Sequence, residues 1–245
     1  MNAIEAKKLT KKFGSKAAVD HIDLTVKEGE LFALLGVNGA GKTTAIRMLS
    51  CLSTPTEGEG AICGHSCRTE AEKVKGIIGI SPQDTAVAEN LTVKENLLFM
   101  ARVYGYDKQK TEEKAGEMIR LFRMEEVENQ RAKTLSGGWK RKLSIAMALI
   151  ASPKVLFLDE PTLGLDVLAR REMWRAIENL KGKMTILLTT HYMEEAESLS
   201  DRIAVMIAGK IAACGTLAQL EAETGRRGLE EAFVAIAERS MSENA

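Results

Sequence analysis

Along the N-terminal part of the chain, the apolar residues follow three successive patterns. In HIDLTV, the apolar residues Ile22, Leu24 and Val26 alternate with polar ones, which predicts a half-buried strand. The run LFALL, Leu31 to Leu35, is apolar throughout, as expected for a strand buried on both faces. After a glycine-rich loop, apolar residues recur at helical spacing, at Ala45, Met48, Leu49 and Leu52.

Two more apolar runs in the second half of the chain end in polar residues. They are VLFLD, Val155 to Asp159, and TILLTT, Thr185 to Thr190. The segment between them has one apolar helical face, made of Met173, Trp174, Ile177 and Leu180. Strands that alternate with helices in this way predict an α/β fold with a largely parallel sheet. The following residues, 202–215, predict two strands joined by a turn at Gly209.

The middle of the chain differs in character. Residues 84–150 are rich in helix formers, and TVKENLLFMARVYG and KAGEMIRLFRM both have amphipathic helical spacing. We therefore expect one domain, with an α/β core in residues 1–83 and 151–216 and a helical insert at 84–150. Residues 217–245 are expected to form a short helical tail that docks through Leu229, Phe233 and Ile236.

Composition narrows the class of protein. The 245 residues are 45% hydrophobic and carry 34 basic and 34 acidic side chains, so the net charge is zero, which argues against nucleic acid as the main partner. The four cysteines are scattered, and the cluster CGHSC at residues 63–67 reads more simply as a surface turn than as a metal site. No apolar run reaches the ~18 residues of a membrane span, so we expect any membrane role to require another chain.

The loop GVNGAGKTT matches the phosphate-binding pattern G-x-x-x-x-G-K-[ST] and lies between a buried strand and a helix. Backbone N–H groups of such a loop, together with the positive end of the helix, bind phosphate. Lys42 is expected to reach the β- and γ-phosphates of a nucleotide, and the Thr43 hydroxyl is expected to bind Mg²⁺. The predicted phosphate-binding residues are Gly36, Val37, Asn38, Gly39, Ala40, Gly41, Lys42, Thr43 and Thr44.

Polar side chains end the two later strands. Asp159 is suited to hold Mg²⁺, and Glu160 is then free to orient and deprotonate an attacking water. The plainer alternative is that these acids simply terminate a strand. His191 could hydrogen-bond a γ-phosphate, although a single histidine is more often structural; its position at a strand end, where ligands of α/β sheets bind, favours function.

The segment LSGGWKRKLS contains a second predicted anion site. Ser136 can cap a helix, and the bare amides of Gly137 and Gly138 lie at its start. The chain thus has two phosphate-binding helix starts but one lysine-bearing loop. Either two phosphates bind, or one site is assembled from two copies of the chain.

These motifs, in this order, resemble the nucleotide-binding subunit of ATP-binding cassette (ABC) transporters over about Ile4 to Phe233. GVNGAGKTT is similar to the Walker A loop, VLFLDE to the Walker B strand and LSGG to the family signature. The resemblance also assigns Gln83 in ISPQD to the Q-loop, Asp166 in LGLD to the D-loop and Phe13 to adenine stacking. ENLTVKENL and THYMEEAE are most similar to the drug- and lipid-export branch.

The resemblance implies a P-loop core with an N-terminal antiparallel β subdomain, ATP and Mg²⁺ as ligands, and Gln83 as a further metal contact. It also implies a homodimer or heterodimer closed by ATP, in which Ser136, Gly137 and Gly138 of one chain cover the nucleotide of the other. A transmembrane permease would be the partner, at the cytoplasmic face of the membrane. The alternative is a soluble ABC ATPase of DNA repair or translation. Trp139, where the family commonly has Gln, departs from the pattern.

Overall fold

A six-stranded sheet forms the centre of the molecule. The computed structural model describes residues 1–242; residues 243–245, the end of the predicted tail, lie outside it. The strand order is β10-β9-β3-β8-β7-β6, and every neighbouring pair is parallel except β10 and β9. The strands are β3 (Leu31–Leu35), β6 (Ile78–Ser81), β7 (Val155–Asp159), β8 (Thr185–Thr190), β9 (Arg202–Ile207) and β10 (Lys210–Gly215).

A second, antiparallel sheet packs against one face of the first. Its strand order is β2-β1-β4-β5, with strands β1 (Asn2–Phe13), β2 (Lys16–Lys27), β4 (Glu57–Ile62) and β5 (His65–Ser66). Side chains alternate across β3, because successive residues of a strand point to opposite faces. Phe32 and Leu34 pack with the antiparallel sheet, while Leu31, Ala33 and Leu35 join the core on the other face. Burial of both faces explains why LFALL has no polar residue.

Helices cover the two faces of the parallel sheet. Those attached to the core are α1 (Lys42–Leu49), α2 (Ala71–Lys75), α6 (Val167–Glu178), α7 (Met193–Leu199), α8 (Leu217–Thr224) and α9 (Leu229–Ser242). Leu229, Phe233 and Ile236 of α9 are buried in the larger core, as the sequence predicts. The predicted helical position of Leu52 is wrong, because α1 ends at Leu49, Cys51 adopts a left-handed φ of 60° and Leu52 is exposed.

The helical segment between β6 and β7 contains α3 (Val93–Val103), α4 (Lys108–Leu121) and α5 (Gly137–Leu149), with short 3₁₀ turns at Glu125–Val127 and Ala132–Thr134. Thr92 and Glu95 form a capping box at the start of α3, which explains why the helix begins there. The helices share the larger hydrophobic core with the sheet. Within residues 1–242, none of the helices is both long and apolar enough to cross a membrane. The division at residues 84, 151 and 217 stays a prediction.

The contact between α5 and β6 is tight enough to require glycine, and we predict that Gly79→Ala is destabilising. A Cβ at Gly79 would lie 2.2 Å from the backbone oxygen of Ala148. Such overpacking costs about 1–3 kcal/mol. Gly76→Ala is the matched control, because its Cβ would lie 3.5 Å from the nearest atom. Urea unfolding should show a loss of stability for Gly79→Ala and almost none for Gly76→Ala. Equal stability of the two variants would contradict the close approach.

Candidate active site

The register of three parallel strands brings the predicted polar residues to one edge of the sheet. Leu35 pairs with Thr190, and Asp159 pairs with Thr189. The residues that follow, Gly36, His191 and Glu160, therefore leave the sheet side by side. Glu160 and His191 border a cleft of about 860 Å³, whereas Gly36 and Val37 are not part of its lining. Its lining includes Phe13, Asn38, Gly39, Ala40, Gly41, Lys42, Thr43, Thr44, Gln83, Glu160 and His191.

The glycine-rich loop has the open backbone that phosphate binding requires. Gly39 and Gly41 have φ values of 81° and 108°, in the region that favours glycine. Gly36 follows β3 so closely past β9 that a Cβ there would lie 2.4 Å from the Met206 carbonyl oxygen. Helix α1 begins directly after the loop at Lys42, and its first turn contains no acidic residue. The loop and the positive helix end thus form an anion site at the base of the cleft.

Lys42 is buried beneath this loop, with 5% of its surface exposed. Its ammonium group donates to the Gly36 carbonyl at 2.7 Å and lies 3.0 Å from the Glu160 carboxylate oxygen Oε1. A buried charge is stable only when it is paired, so each of the two side chains compensates the other. The pair therefore connects the phosphate loop directly to the end of β7.

Glu160 has a second partner and an unusual backbone. Its oxygen Oε2 lies 2.8 Å from the Nδ1 atom of His191. Its φ is 50°, and its amide donates to Thr189, whose carbonyl and hydroxyl oxygens each lie 3.1 Å away. Left-handed backbone in a residue other than glycine is costly and is concentrated at functional sites. The strained turn aims the Glu160 carboxylate between Lys42 and His191.

Asp159 is not itself part of the cleft lining, and it contacts Thr43, which lines the cleft at the start of α1. Its oxygen Oδ1 accepts from the Thr43 hydroxyl at 3.1 Å and from the Thr189 hydroxyl at 2.5 Å. Hydroxyl and carboxylate oxygens are the donors that Mg²⁺ prefers, so this pair beside the phosphate loop fits the ion. Gln83 lines the same cleft, while its backbone carbonyl accepts from Arg141 at 2.6 Å.

The predicted second anion site is not part of this cleft. Ser136 caps α5, and its hydroxyl oxygen accepts from the Trp139 amide at 3.5 Å, in agreement with the predicted cap. Ser136 and Gly137 are exposed, and among the described residues neither they nor Gly138 line the cleft of their own chain. Asp166 is also outside this lining, and it caps α6 by accepting from Leu168 and Ala169.

Trp139 packs against the larger core rather than projecting freely into solvent. It is partly buried, and the ammonium of Lys142 lies 4.2 Å from the centre of its ring. Lys142 also pairs with Glu172 of α6 at 2.9 Å. Trp139 thus makes a cation–π contact, within α5, with the lysine that pairs this helix with α6.

Sequence reasoning missed Glu195, which is fully buried behind the cleft. Its oxygen Oε1 accepts from the Thr162 hydroxyl at 2.8 Å and from the Trp174 indole at 3.0 Å. Burial raises the pKa of Glu195, while hydrogen bonds from Thr190, Thr162 and Trp174 act in the opposite direction. Its sequence signal is its position in the first turn of α7, shortly after His191 at the end of β8.

The fold and these contacts define a P-loop nucleoside triphosphatase, because a phosphate loop with its lysine faces two strand-end carboxylates. The particular family follows from comparison with known proteins. The family profile described as ABC transporter matches residues 19–163, more than half of the chain. The chain therefore belongs to the ABC transporter family, as an ATP-binding ATPase domain, which confirms the resemblance found in the motifs.

Relatives and solved structures agree with this assignment. The daunorubicin/doxorubicin resistance ATP-binding protein DrrA of Streptomyces peucetius is 41% identical, over 91% of this chain and 68% of its own length. The phospholipid-transporting ATPase ABCA3 of Homo sapiens is 43% identical over 91% of this chain. This chain spans 13% of ABCA3 and 41% of the probable multidrug ABC transporter ATP-binding protein YbhF of Escherichia coli, which is 40% identical.

Among solved structures, the ATP-binding subunit of an ABC transporter superposes with a TM-score of 0.85 at 30% identity, covering 96% of this chain and 99% of that one. The dimeric post-hydrolysis state of the ATP-binding cassette MJ0796, bound to ADP and Pi, gives a TM-score of 0.79 at 26% identity, over 87% and 98% of the chains. These likenesses confirm the predicted α/β fold.

The burial of Glu195 generates a prediction on pH and stability. Because its pKa is raised in the folded state, the folded protein binds more protons than the unfolded chain between the two pKa values. Wild-type stability then falls as pH rises through that interval. Glutamine does not titrate, so the stability of Glu195→Gln relative to wild type should increase as pH rises from about 4 to about 8.

Urea unfolding at both pH values measures this difference. Glu197→Gln, on the exposed part of the same helix, is the matched control and should show a smaller change. A stability difference between Glu195→Gln and wild type that stays constant with pH would contradict the assignment of the raised pKa.

Proposed function

We propose that this chain uses ATP hydrolysis in the cleft to energise export through a separate transmembrane permease. The observation that carries the proposal is the double pairing of Glu160, with Lys42 at 3.0 Å and with His191 at 2.8 Å. A γ-phosphate bound at the loop would compete with Glu160 for both partners. Its arrival would release the Glu160 carboxylate to accept a proton from the attacking water.

The remaining cleft residues have roles in binding. The amides of residues 36–44 and Lys42 would hold the phosphates, and the exposed ring of Phe13 would stack on adenine. Thr43, Asp159 and Gln83 would hold Mg²⁺, which neutralises charge on the β- and γ-phosphates. His191 would hydrogen-bond the γ-phosphate, and Gln83 would complete the catalytic set.

We propose further that the working unit is a dimer, either of two copies or with a second ABC subunit. Ser136 and Gly137 are exposed outside the cleft of their own chain, so another chain's nucleotide can reach their hydroxyl and amides. Asp166 would lie at the same interface. The dimeric form of the cassette MJ0796 supports this arrangement.

The choice of export rests on the relatives. The drug-resistance protein DrrA matches more than nine-tenths of the length of this chain, and YbhF is described as a probable multidrug transporter ATP-binding protein. Both favour a transporter subunit at the cytoplasmic face of the membrane over a soluble ATPase of DNA repair or translation. The membrane partner would determine what is transported.

We predict that Glu160→Gln lowers kcat for ATP hydrolysis by about 10²–10⁴-fold, the usual contribution of a general base. The amide keeps the shape of the side chain, so ATP affinity should stay within a few-fold of wild type. Phosphate release and fluorescent-nucleotide titration measure the two quantities. Glu178→Gln, on the exposed face of α6, is the control with normal turnover. A Glu160→Gln protein that hydrolyses ATP at the wild-type rate would remove Glu160 from the role of base.

A mixing experiment tests assembly of the site from two chains. Lys42→Ala disables the phosphate loop, and Ser136→Arg disables the signature, so each variant alone should be inactive. In a mixture, each heterodimer contains one site with both parts intact. Random pairing should restore roughly a quarter of wild-type ATPase activity, since about half of the dimers are mixed and half of their sites work. Activity no higher than that of either variant alone would argue against assembly in trans.

A further inference from the structure

Arg141 forms an unusual contact beside the active-site cleft. It lies one turn into α5, is 4% exposed, and donates from its two terminal nitrogens to the carbonyl oxygens of Pro82 and Gln83, both at 2.6 Å. The acceptors are consecutive backbone groups of the loop that contains the predicted Q-loop residue. Burial lowers the pKa of Arg141, and the negative charge of Asp159 acts in the opposite direction. A buried guanidinium costs desolvation, which its hydrogen bonds to the two carbonyls offset.

Two more contacts lie on the same face of α5. The hydroxyl of Ser144, three residues after Arg141, is 3.0 Å from the hydroxyl of Ser81 at the end of β6. One turn further on, the carbonyl of Ala148 lies against Gly79. Helical spacing places the three contacts in a row along β6 and the start of the loop. The N-terminal part of α5, which Ser136 caps, is thus hydrogen-bonded to the Gln83 carbonyl through Arg141.

We propose that Arg141 is a positioning residue that makes the Gln83 loop and the signature helix α5 move as one unit. The planar guanidinium fixes two consecutive carbonyls at once, which an ammonium group on a flexible stem cannot do. This inference rests on the proposed function, in which Gln83 belongs to the chain's own ATP site and Ser136 to the partner's. Within each chain, Arg141 therefore connects the Gln83 loop of that chain's own ATP site to the helix whose start, at Ser136, belongs to the partner's ATP site.

The connection has a testable consequence in a chain that cannot close a dimer. Ser136→Arg blocks the signature but leaves the phosphate loop intact, so ATP still binds in the chain's own cleft. Hydrogen exchange measured with and without ATP should then slow at residues 36–44, at 82–85 and, through Arg141, at 137–144. Adding Arg141→Lys should abolish the change at residues 137–144 and preserve it at 36–44. Arg141→Met serves as a second variant that removes the charge as well as both donors.

Lys110→Met is the matched control, because it removes a cation from the surface of α4 without touching the Gln83 loop. In this control, ATP should slow exchange at residues 137–144 as in the parent. An ATP-dependent change at 137–144 that persists in Arg141→Lys would overturn the inference, as would a parent protein in which 36–44 is protected and 137–144 is not. The second of these outcomes is measured on the parent protein, so it does not depend on whether an Arg141 variant folds. Absence of protection at 36–44 would instead count against ATP binding, and hence against the proposed function.

Turnover provides the second readout. In the otherwise wild-type chain, Arg141→Lys should lower kcat about tenfold, more than any loss of folded protein at the assay temperature explains, while KM for ATP stays close to wild type because the phosphate loop is untouched. A purely structural role would lower Tm and kcat together, in proportion to the folded fraction. Wild-type kcat in Arg141→Lys would also overturn the inference.

Discussion

The interaction on which the site depends is the pairing of the Glu160 carboxylate with the Lys42 ammonium at 3.0 Å and with His191 Nδ1 at 2.8 Å. Glu160 and His191 follow the ends of β7 and β8, and Lys42 begins α1 after the loop that follows β3; they meet because these three strands are parallel and in register. Neither Lys42 nor Glu160 could be buried alone without a large desolvation cost. The same pairing that stabilises the cleft before a nucleotide arrives therefore holds the groups that a γ-phosphate would contact.

Much of the core was predictable, because burial on both faces has a direct signature in sequence. LFALL, VLFLD and TILLTT are uninterrupted apolar runs, and they form the three strands that carry the site. The end of α1 was not predictable in the same way. Leu52 continues the helical spacing, but the chain turns at Cys51, and spacing alone does not report where a helix stops.

The candidate site was predictable where its chemistry is local. The phosphate loop, Asp159, Glu160 and His191 are contiguous with strands or helix starts, so position in the chain indicates their place in the fold. Glu195 and Arg141 were missed because their partners lie far away in sequence. Thr162 is 33 residues from Glu195, and Gln83 is 58 residues from Arg141. No spacing rule connects such pairs before the tertiary structure is known.

Trp139 illustrates how the two halves of the signature segment differ. The first half, Ser136 to Gly138, lies outside the cleft of its own chain, and Ser136 and Gly137 are exposed. The second half faces inward. Trp139 packs on the core and contacts the Lys142 ammonium, and Arg141 donates a hydrogen bond to the Gln83 carbonyl. Trp139 therefore lies against Lys142, the residue that pairs α5 with Glu172 of α6. The cap that presents the Ser136 hydroxyl needs only the Trp139 backbone amide, so it does not depend on that side chain.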